Sequence, residues 1–515
     1  MLQRKKRQLH QSQQNSKSNQ SIKSEIMKQK LRLLAPALFV FIFTACDTSY
    51  YDSNYTYYPD MEMSENPTGE NYKEYTENQF ITTAEHPVST FSVDADGGSY
   101  ANMRRFMHLG QQPPKAAVRI EEFLNYFTFD YANPTGDENV ALNSEISECP
   151  WNTSHHLLRV GMKGKSIPES ELPNSNFVFL IDVSGSMDSP DKLPVLKTGF
   201  KMMVDQMRDG DRVAIVTYAG SASVLLESTY GDEKTKIKKA IDKLGAGGST
   251  AGAKGILTAY EIAEKNLISG GNNRIIIGSD GDFNVGPSST DELVKLVEEK
   301  RDGGIYLTTL GVSTGNLNDN MMEQIANKGN GNYEYIDSAD ELMKVFVNEK
   351  SKFYTVAKDS KIQITFNPDK VLKYRLIGYE NRSLNEEDFE NDSTDAGEIG
   401  AGQTITALYE LELSNSTTAD AMPYAQFDFR YKKPTETESR LIQHTISGNP
   451  VAAVSASENM RFAISVSAFG LILRESEFKG TADKTMILNF AQNAKTFDPH
   501  GYRTQFIGIV NKWKP

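Results

Sequence analysis

Between residues 175 and 354 the chain alternates two hydrophobic rhythms. Asn176–Ile181, Arg212–Tyr218, Ser223–Leu226, Arg274–Gly278, Ile305–Gly311 and Tyr333–Ile336 are short runs dense in β-branched and aromatic residues, and they read as strands. Leu193–Met207, Glu233–Leu244, Gly252–Asn266, Asp291–Arg301, Asp319–Asn327 and Ala339–Phe353 carry apolar residues three and four apart, and they read as amphipathic helices. This alternation predicts an α/β unit: a doubly wound, mostly parallel, Rossmann-like sheet with helices on both faces. In such sheets ligands bind beyond the carboxyl ends of the strands.

After about residue 355 the rhythm becomes strand-only. Lys361–Phe366, Val371–Tyr379, Gln403–Leu413, Ala425–Tyr431 and Ser439–Ile446 alternate apolar and polar positions, with Asn381–Gly402 an acidic, glycine-containing loop between them. Upstream, Leu142–Glu148 and Leu157–Met162 also read as strands, and Ala101–Leu109 and Ala117–Phe127 as helices. Strands therefore lie on both sides of the α/β unit, which predicts its insertion into one β-sandwich. Asn459–Arg474, Thr485–Ala494 and Tyr502–Val510 read as a closing helical region. The expected domains are 80–174, helices plus the first sandwich strands; 175–354, the α/β unit; 355–447, the remaining sandwich; and 448–515, the helical end.

Charge and composition add a leader. Residues 1–45 hold nine Lys or Arg and one Glu, which leaves 46 basic against 67 acidic side chains, a balance of −21, in the remainder. So acidic a body argues against nucleic acid as a partner, because phosphate binding needs clustered Lys and Arg. Lys28, Lys30 and Arg32 precede the apolar run Leu33–Phe43, which is short for a membrane span and has the proportions of a secretory signal, with Met27 as an alternative start. Thr44-Ala45-Cys46 resembles a bacterial lipoprotein cleavage site. The resemblance implies cleavage before Cys46, a lipid on its thiol, and an envelope address on the periplasmic side or at the outer membrane or cell surface. Residues 46–79 are Tyr-, Ser-, Asn- and Asp-rich and read as a flexible tether. Cys149, the second of two cysteines, reads as a buried structural thiol.

The candidate chemistry sits where the α/β unit predicts it. Asp182-Val183-Ser184-Gly185-Ser186 leaves the first strand, presenting one carboxylate and two hydroxyls on a small patch. Gly245-Ala246-Gly247-Gly248-Ser249-Thr250 brings a third hydroxyl on a glycine-rich loop, and Arg274–Ser279 runs into a second carboxylate, Asp280. Oxygen-only, mostly neutral ligands suit Mg2+ better than Zn2+, with Mn2+ or Ca2+ as substitutes. The pattern resembles the von Willebrand factor type A domain and its metal-ion-dependent adhesion site. That resemblance implies that Ser184, Ser186 and Thr250 touch the metal, that Asp182 and Asp280 act through bound waters, and that an open position accepts a carboxylate from a protein partner. The flanks, including Thr90-Phe91-Ser92-Val93-Asp94, Val118-Arg119-Ile120-Glu121-Glu122 and Tyr374–Arg382, resemble those of a bacterial family of type A domain lipoproteins.

Other patterns carry less. Asp94-Ala95-Asp96-Gly97-Gly98-Ser99 lacks the closing Glu of a calcium loop, since position 105 is Arg. His155 and His156, adjacent on an expected strand, point to opposite faces. Gly245–Thr250 lacks the Gly-Lys-Ser/Thr ending of a phosphate loop. No His stands near these three loops in the sequence to support a hydrolytic triad, so the expectation is a binding protein and not an enzyme. A metal-assisted hydrolase, and a structural protein whose metal staples three loops, stay open as alternatives.

Overall fold

A computed structural model describes residues 69–248, 252–281, 290–312, 315, 317–414 and 422–515. In chain order the segments before the α/β unit are β1 (Ile81–Thr82), β2 (Val88–Ser92), α1 (Gly98–His108), α2 (Ile120–Asn125), β3 (Val140–Glu148) and β4 (His156–Gly164). The unit itself holds β5 (Ser175–Asp182), α3 (Leu193–Gln206), β6 (Arg212–Ala219), β7 (Ser221–Tyr230), α4 (Lys234–Asp242), α5 (Gly252–Lys265), β8 (Asn272–Ser279), α6 (Thr290–Asp302), β9 (Ile305–Gly311), α7 (Asp319–Lys328), β10 (Tyr333–Tyr335) and α8 (Ala339–Met343). After it come β11 (Thr355–Phe366), β12 (Val371–Ile377), β13 (Gly397–Gly400), β14 (Thr404–Leu413), β15 (Ala425–Lys432), β16 (Arg440–Ile446), α9 (Glu458–Leu473), α10 (Lys484–Gln492) and α11 (Tyr502–Lys512).

The α/β sheet has the order β10-β9-β8-β5-β6-β7, parallel except for the antiparallel edge strand β7. β5 lies at its centre and every residue of it is buried, as expected of a strand covered on both faces. Phe177, Phe179 and Ile181 face Leu196 and Phe200 of α3, while Val178 and Leu180 face Ile256, Ala259 and Tyr260 of α5. Pairing of Ile181 with Gly278 sets the ends of β5 and β8 side by side, which places the loops carrying Asp182 and Asp280 together.

The sandwich pairs a sheet β1-β12-β14-β4-β3 with a sheet β13-β11-β15-β16, to which β2 adds along β11. Its core interdigitates Ile405, Ala407, Tyr409 and Leu411 of β14 with Ile362 and Ile364 of β11 and Phe427 and Phe429 of β15. The α/β unit is inserted between two sandwich strands, leaving from β4 and returning through β11. α9 is buried on nearly all sides, consistent with its apolar residues encircling the helix. Cys149 is a buried free thiol whose ionisation burial pushes up. No helix among the described residues is long and apolar enough to cross a membrane.

Three segments differ from expectation. Residues 70–79, assigned by composition to the tether, pack onto the body: Glu70 pairs with Arg105, and Asn78 Nδ2 donates to the Leu376 and Gly378 carbonyls. Asn381–Gly402 is not a simple loop, because it contains β13 and a half-buried ion pair from Asp395 to Arg301 of α6 at 2.7 Å. The single helix expected over Ala339–Phe353 is broken. A π-turn over Lys344–Asn348, closed by the Glu349 amide on the Lys344 carbonyl, follows α8, and a 3-10 turn over Lys350–Phe353 completes it. Leu342 and Phe346 pack against Gly199 of α3, while Lys344 turns to Glu349 and the Tyr126 ring.

Buried charge ties the three parts together. Arg119, beside α2, bonds Glu122 and reaches Asp319 of α7 at 2.6 Å, and Arg382 of the sandwich reaches Asp94 at 2.9 Å and Asp96 at 3.5 Å. Glu121 is buried next to this network, with Oε2 lacking a hydrogen-bond partner among the described residues. Burial, and then the carboxylates of Glu380 and Asp94, push its carboxyl up to about 8. The folded chain then keeps a proton that the unfolded chain loses near pH 4.5, so this group's stabilisation declines as pH rises from there to about 8. Glu121→Gln should come near the wild type at pH 5 and exceed it at pH 8.5 by a few kcal/mol, measured by urea unfolding at the two pH values. Equal stability at both would show that Glu121 is ionised throughout.

Candidate metal centre

β5 leaves the core at Asp182, and the chain passes through a short 3-10 turn, Gly185–Asp188, before α3 begins. Asp182 is wholly buried and committed on both oxygens. Oδ1 accepts from the Ser184 amide at 2.8 Å, and Oδ2 accepts from Ser279 Oγ at 3.1 Å. In front of it, Ser184 Oγ and Ser186 Oγ lie 3.0 Å apart, Ser184 buried and Ser186 exposed. The carboxylate forms the rear of the centre and the hydroxyl pair its open side.

The glycine-rich loop is laced to this turn. The Gly247 amide donates to the Val183 carbonyl at 2.8 Å, and the Gly185 amide donates to the Gly248 carbonyl at 3.1 Å. Gly248 adopts φ +100°, a conformation that favours glycine. Thr250, two positions further on, lies outside the described residues, as does Cys46. Asp280, just past β8, is wholly buried, and Lys192 Nζ lies 3.0 Å from its Oδ2.

Burial, and the like charge of Asp280, raise the Asp182 carboxyl above its ordinary range, while its bonds from Ser184 and Ser279 pull it back. Tyr218 of β6 is buried beside Asp182, and its phenol is pushed well up by burial and then by that carboxylate. The described donors fit a hard divalent ion: two neighbouring hydroxyls with two buried carboxylates behind. Four of the five expected site residues, Asp182, Ser184, Ser186 and Asp280, are thus brought to one end of the sheet by two neighbouring strands. Sequence reasoning missed Lys192, Ser279 and Tyr218. Ser279 could have been found as the residue preceding Asp280 on a strand end, whereas Lys192 and Tyr218 carry no local signal.

A second carboxylate cluster, Asp94, Glu122 and Glu323, has ligand atoms within 4.8 Å of one another. It is interleaved with guanidinium groups: Arg382 on Asp94, Arg119 on Glu122, and both within 3.8 Å of Glu323. This is an ion-pair network, distinct from the centre predicted at Asp182. His155 Nδ1 meets Glu410 Oε1 at 2.7 Å within the sandwich.

Comparison with known proteins follows the same divisions. The family model described as von Willebrand factor type A domain matches residues 176–348, the one described as von Willebrand factor matches 66–159, and the one described as "Uncharacterized protein YfbK, C-terminal" matches 351–515. YfbK of Escherichia coli (strain K12) is 42% identical over 469 residues, covering 86% of this chain and 81% of its own length. The chain belongs to the YfbK family. A UPF0353 protein of Mycolicibacterium gilvum (strain PYR-GCK) is 29% identical over 213 residues, 36% of this chain and 63% of that protein. The solved von Willebrand factor type A protein of Catenulispora acidiphila is 15% identical, covers 72% of this chain and 89% of its own, and has a TM-score of 0.43. The YfbK-family chain thus carries a type A domain, a module of protein interaction and adhesion that commonly binds a divalent metal, and the match to it spans all three loops of the centre.

Proposed function

We propose that this chain is a lipid-anchored envelope protein that binds a protein partner through a Mg2+-dependent adhesion site, capturing an acidic side chain. The observation that carries the reading is the hydroxyl pair of buried Ser184 and exposed Ser186 in front of two buried carboxylates, with the Gly247–Gly248 loop hydrogen-bonded alongside. Ser184, Ser186 and Thr250 would hold the ion directly, with Asp182 and Asp280 behind them through water. The ion, when bound, supplies an electrophilic position open to a carboxylate. The protein's own residues supply the rest: Ser279 and the Ser184 amide fix Asp182, so the rear of the site does not reorganise on binding.

Binding is favoured over turnover because no His stands near these loops in the sequence to serve as a general base. The anchor reading rests on Lys28, Lys30 and Arg32, the apolar run after them and Cys46.

Asp182→Ala and Asp280→Ala should each weaken Mg2+ uptake by about 10- to 100-fold in isothermal titration calorimetry, the range for groups that act through another ligand. Crosslinking from membranes, with and without EDTA, should show a partner that vanishes with the metal and in both variants. Unchanged Mg2+ affinity in both variants would refute the site.

A further inference from the structure

Lys192 stands one residue before α3, where a lysine would ordinarily extend into water. Here it turns inward, is 6% exposed, and places Nζ 3.0 Å from Oδ2 of the wholly buried Asp280. Its backbone is fixed on both sides: its amide donates to the Ser189 carbonyl, and its carbonyl accepts from the Leu196 amide. Burying a lysine costs rotamer freedom and hydration, so a position that pairs it with a candidate metal-site carboxylate calls for a reason. Charge supplies one. Asp182 and Asp280 bring two carboxylates into one buried space at the end of the sheet, and Lys192 brings one compensating positive charge.

Building on the metal-site reading above, we propose that Lys192 is a resident counter-ion, which holds Asp280 in place before metal arrives and lowers the affinity of the centre for Mg2+. Asp182, Asp280 and Lys192 together carry −1, and a dication brings these three groups and the ion to +1. Without it, the same loading ends at zero. The lysine therefore sacrifices metal affinity and leaves the loaded centre net positive, which draws in a carboxylate from a partner. Repulsion between an ammonium and a dication a few ångströms apart changes affinity by an order of magnitude or more, even at the screening of a protein interior. Metal uptake and capture of an acidic group are then mutually reinforcing, because each offsets the charge left by the other.

The test is calorimetric titration of the full chain with MgCl2, comparing wild type, Lys192→Gln, Lys192→Met and Lys192→Arg. Lys192→Gln and Lys192→Met should bind Mg2+ at least about tenfold more tightly, whereas Lys192→Arg, which keeps the charge, should not. In EDTA the two neutral variants should melt below the wild type, and Mg2+ should raise their melting temperature by more than it raises the wild type's. That second readout serves if a neutral variant is too unstable for titration without metal. If the wild type takes up Mg2+ and the neutral variants bind no more tightly and gain no larger thermal shift, the role of Lys192 is refuted while the metal site stands. If neither the wild type nor the variants take up Mg2+ or Mn2+, both fall together.

Discussion

Arg382→Met should destabilise the chain by about 3–5 kcal/mol, the cost of leaving buried carboxylates without their counter-charge. Arg382 comes from the sandwich, and its guanidinium serves groups from two other parts of the molecule. It donates to Asp94 at 2.9 Å and Asp96 at 3.5 Å in the N-terminal segment, and to Asn327 Oδ1 of α7 at 3.1 Å, with Glu323 of α7 at 3.7 Å. Asp96 already titrates well above its ordinary range because it is buried and then because Asp94 lies beside it. Methionine keeps much of the stem's packing and removes the charge. The penalty should shrink at acid pH, where protonation neutralises the stranded carboxylates, and grow toward pH 8. Arg382→Lys should recover little, since an ammonium cannot reproduce a fork that spans several partners. Urea unfolding at pH 5.5 and 8 checks both claims, and a loss under 1 kcal/mol at pH 8 would show that the network contributes no net stability.

The same network shows why part of this molecule is hidden from its sequence. Residues 94, 96, 119, 122, 319, 323 and 382 meet only after three parts of the chain have docked, so no local spacing announces them. β5 and β8 were legible for the opposite reason. A strand covered on both faces must be apolar throughout, and Phe177–Ile181 and Ile275–Ile277 show that directly. The turn after β5 was legible because its Asp, Ser and Ser occur within five consecutive positions. Lys192 was not, because a lysine preceding an amphipathic helix looks like an ordinary surface charge until burial and its bond to Asp280 are seen. β2 and β13 are short, and their pairing with β11 is decided by a strand more than 250 positions from β2. The broken helix over Ala339–Phe353 keeps apolar residues near helical spacing while inserting one residue into a turn, which periodicity alone does not resolve.

Gly281→Ala should be the most damaging single-methyl change at the centre. Gly281 follows Asp280 directly and adopts φ +89°, which costs a residue with a Cβ about 1–3 kcal/mol. An added Cβ would also lie 2.3 Å from the Asn318 amide nitrogen and 3.2 Å from its Cα, contacts with backbone that no rotamer change relieves. Asn318 caps α7, accepting from the Met321 amide, and pairs with Asn71 of the packed N-terminal segment. Accommodating the methyl means moving either that helix cap or the peptide that carries Asp280. We therefore expect destabilisation on the order of 3 kcal/mol together with loss of measurable Mg2+ uptake. Gly248→Ala is the matched control: it also sits at positive φ, but its nearest heavy atoms would be 3.6 Å away, so only the conformational cost of about 1 kcal/mol applies. If Gly281→Ala melts and titrates like Gly248→Ala, then the close approach of the Asp280 loop to α7 does not position the carboxylate, and the centre is organised by β5 and the glycine-rich loop alone.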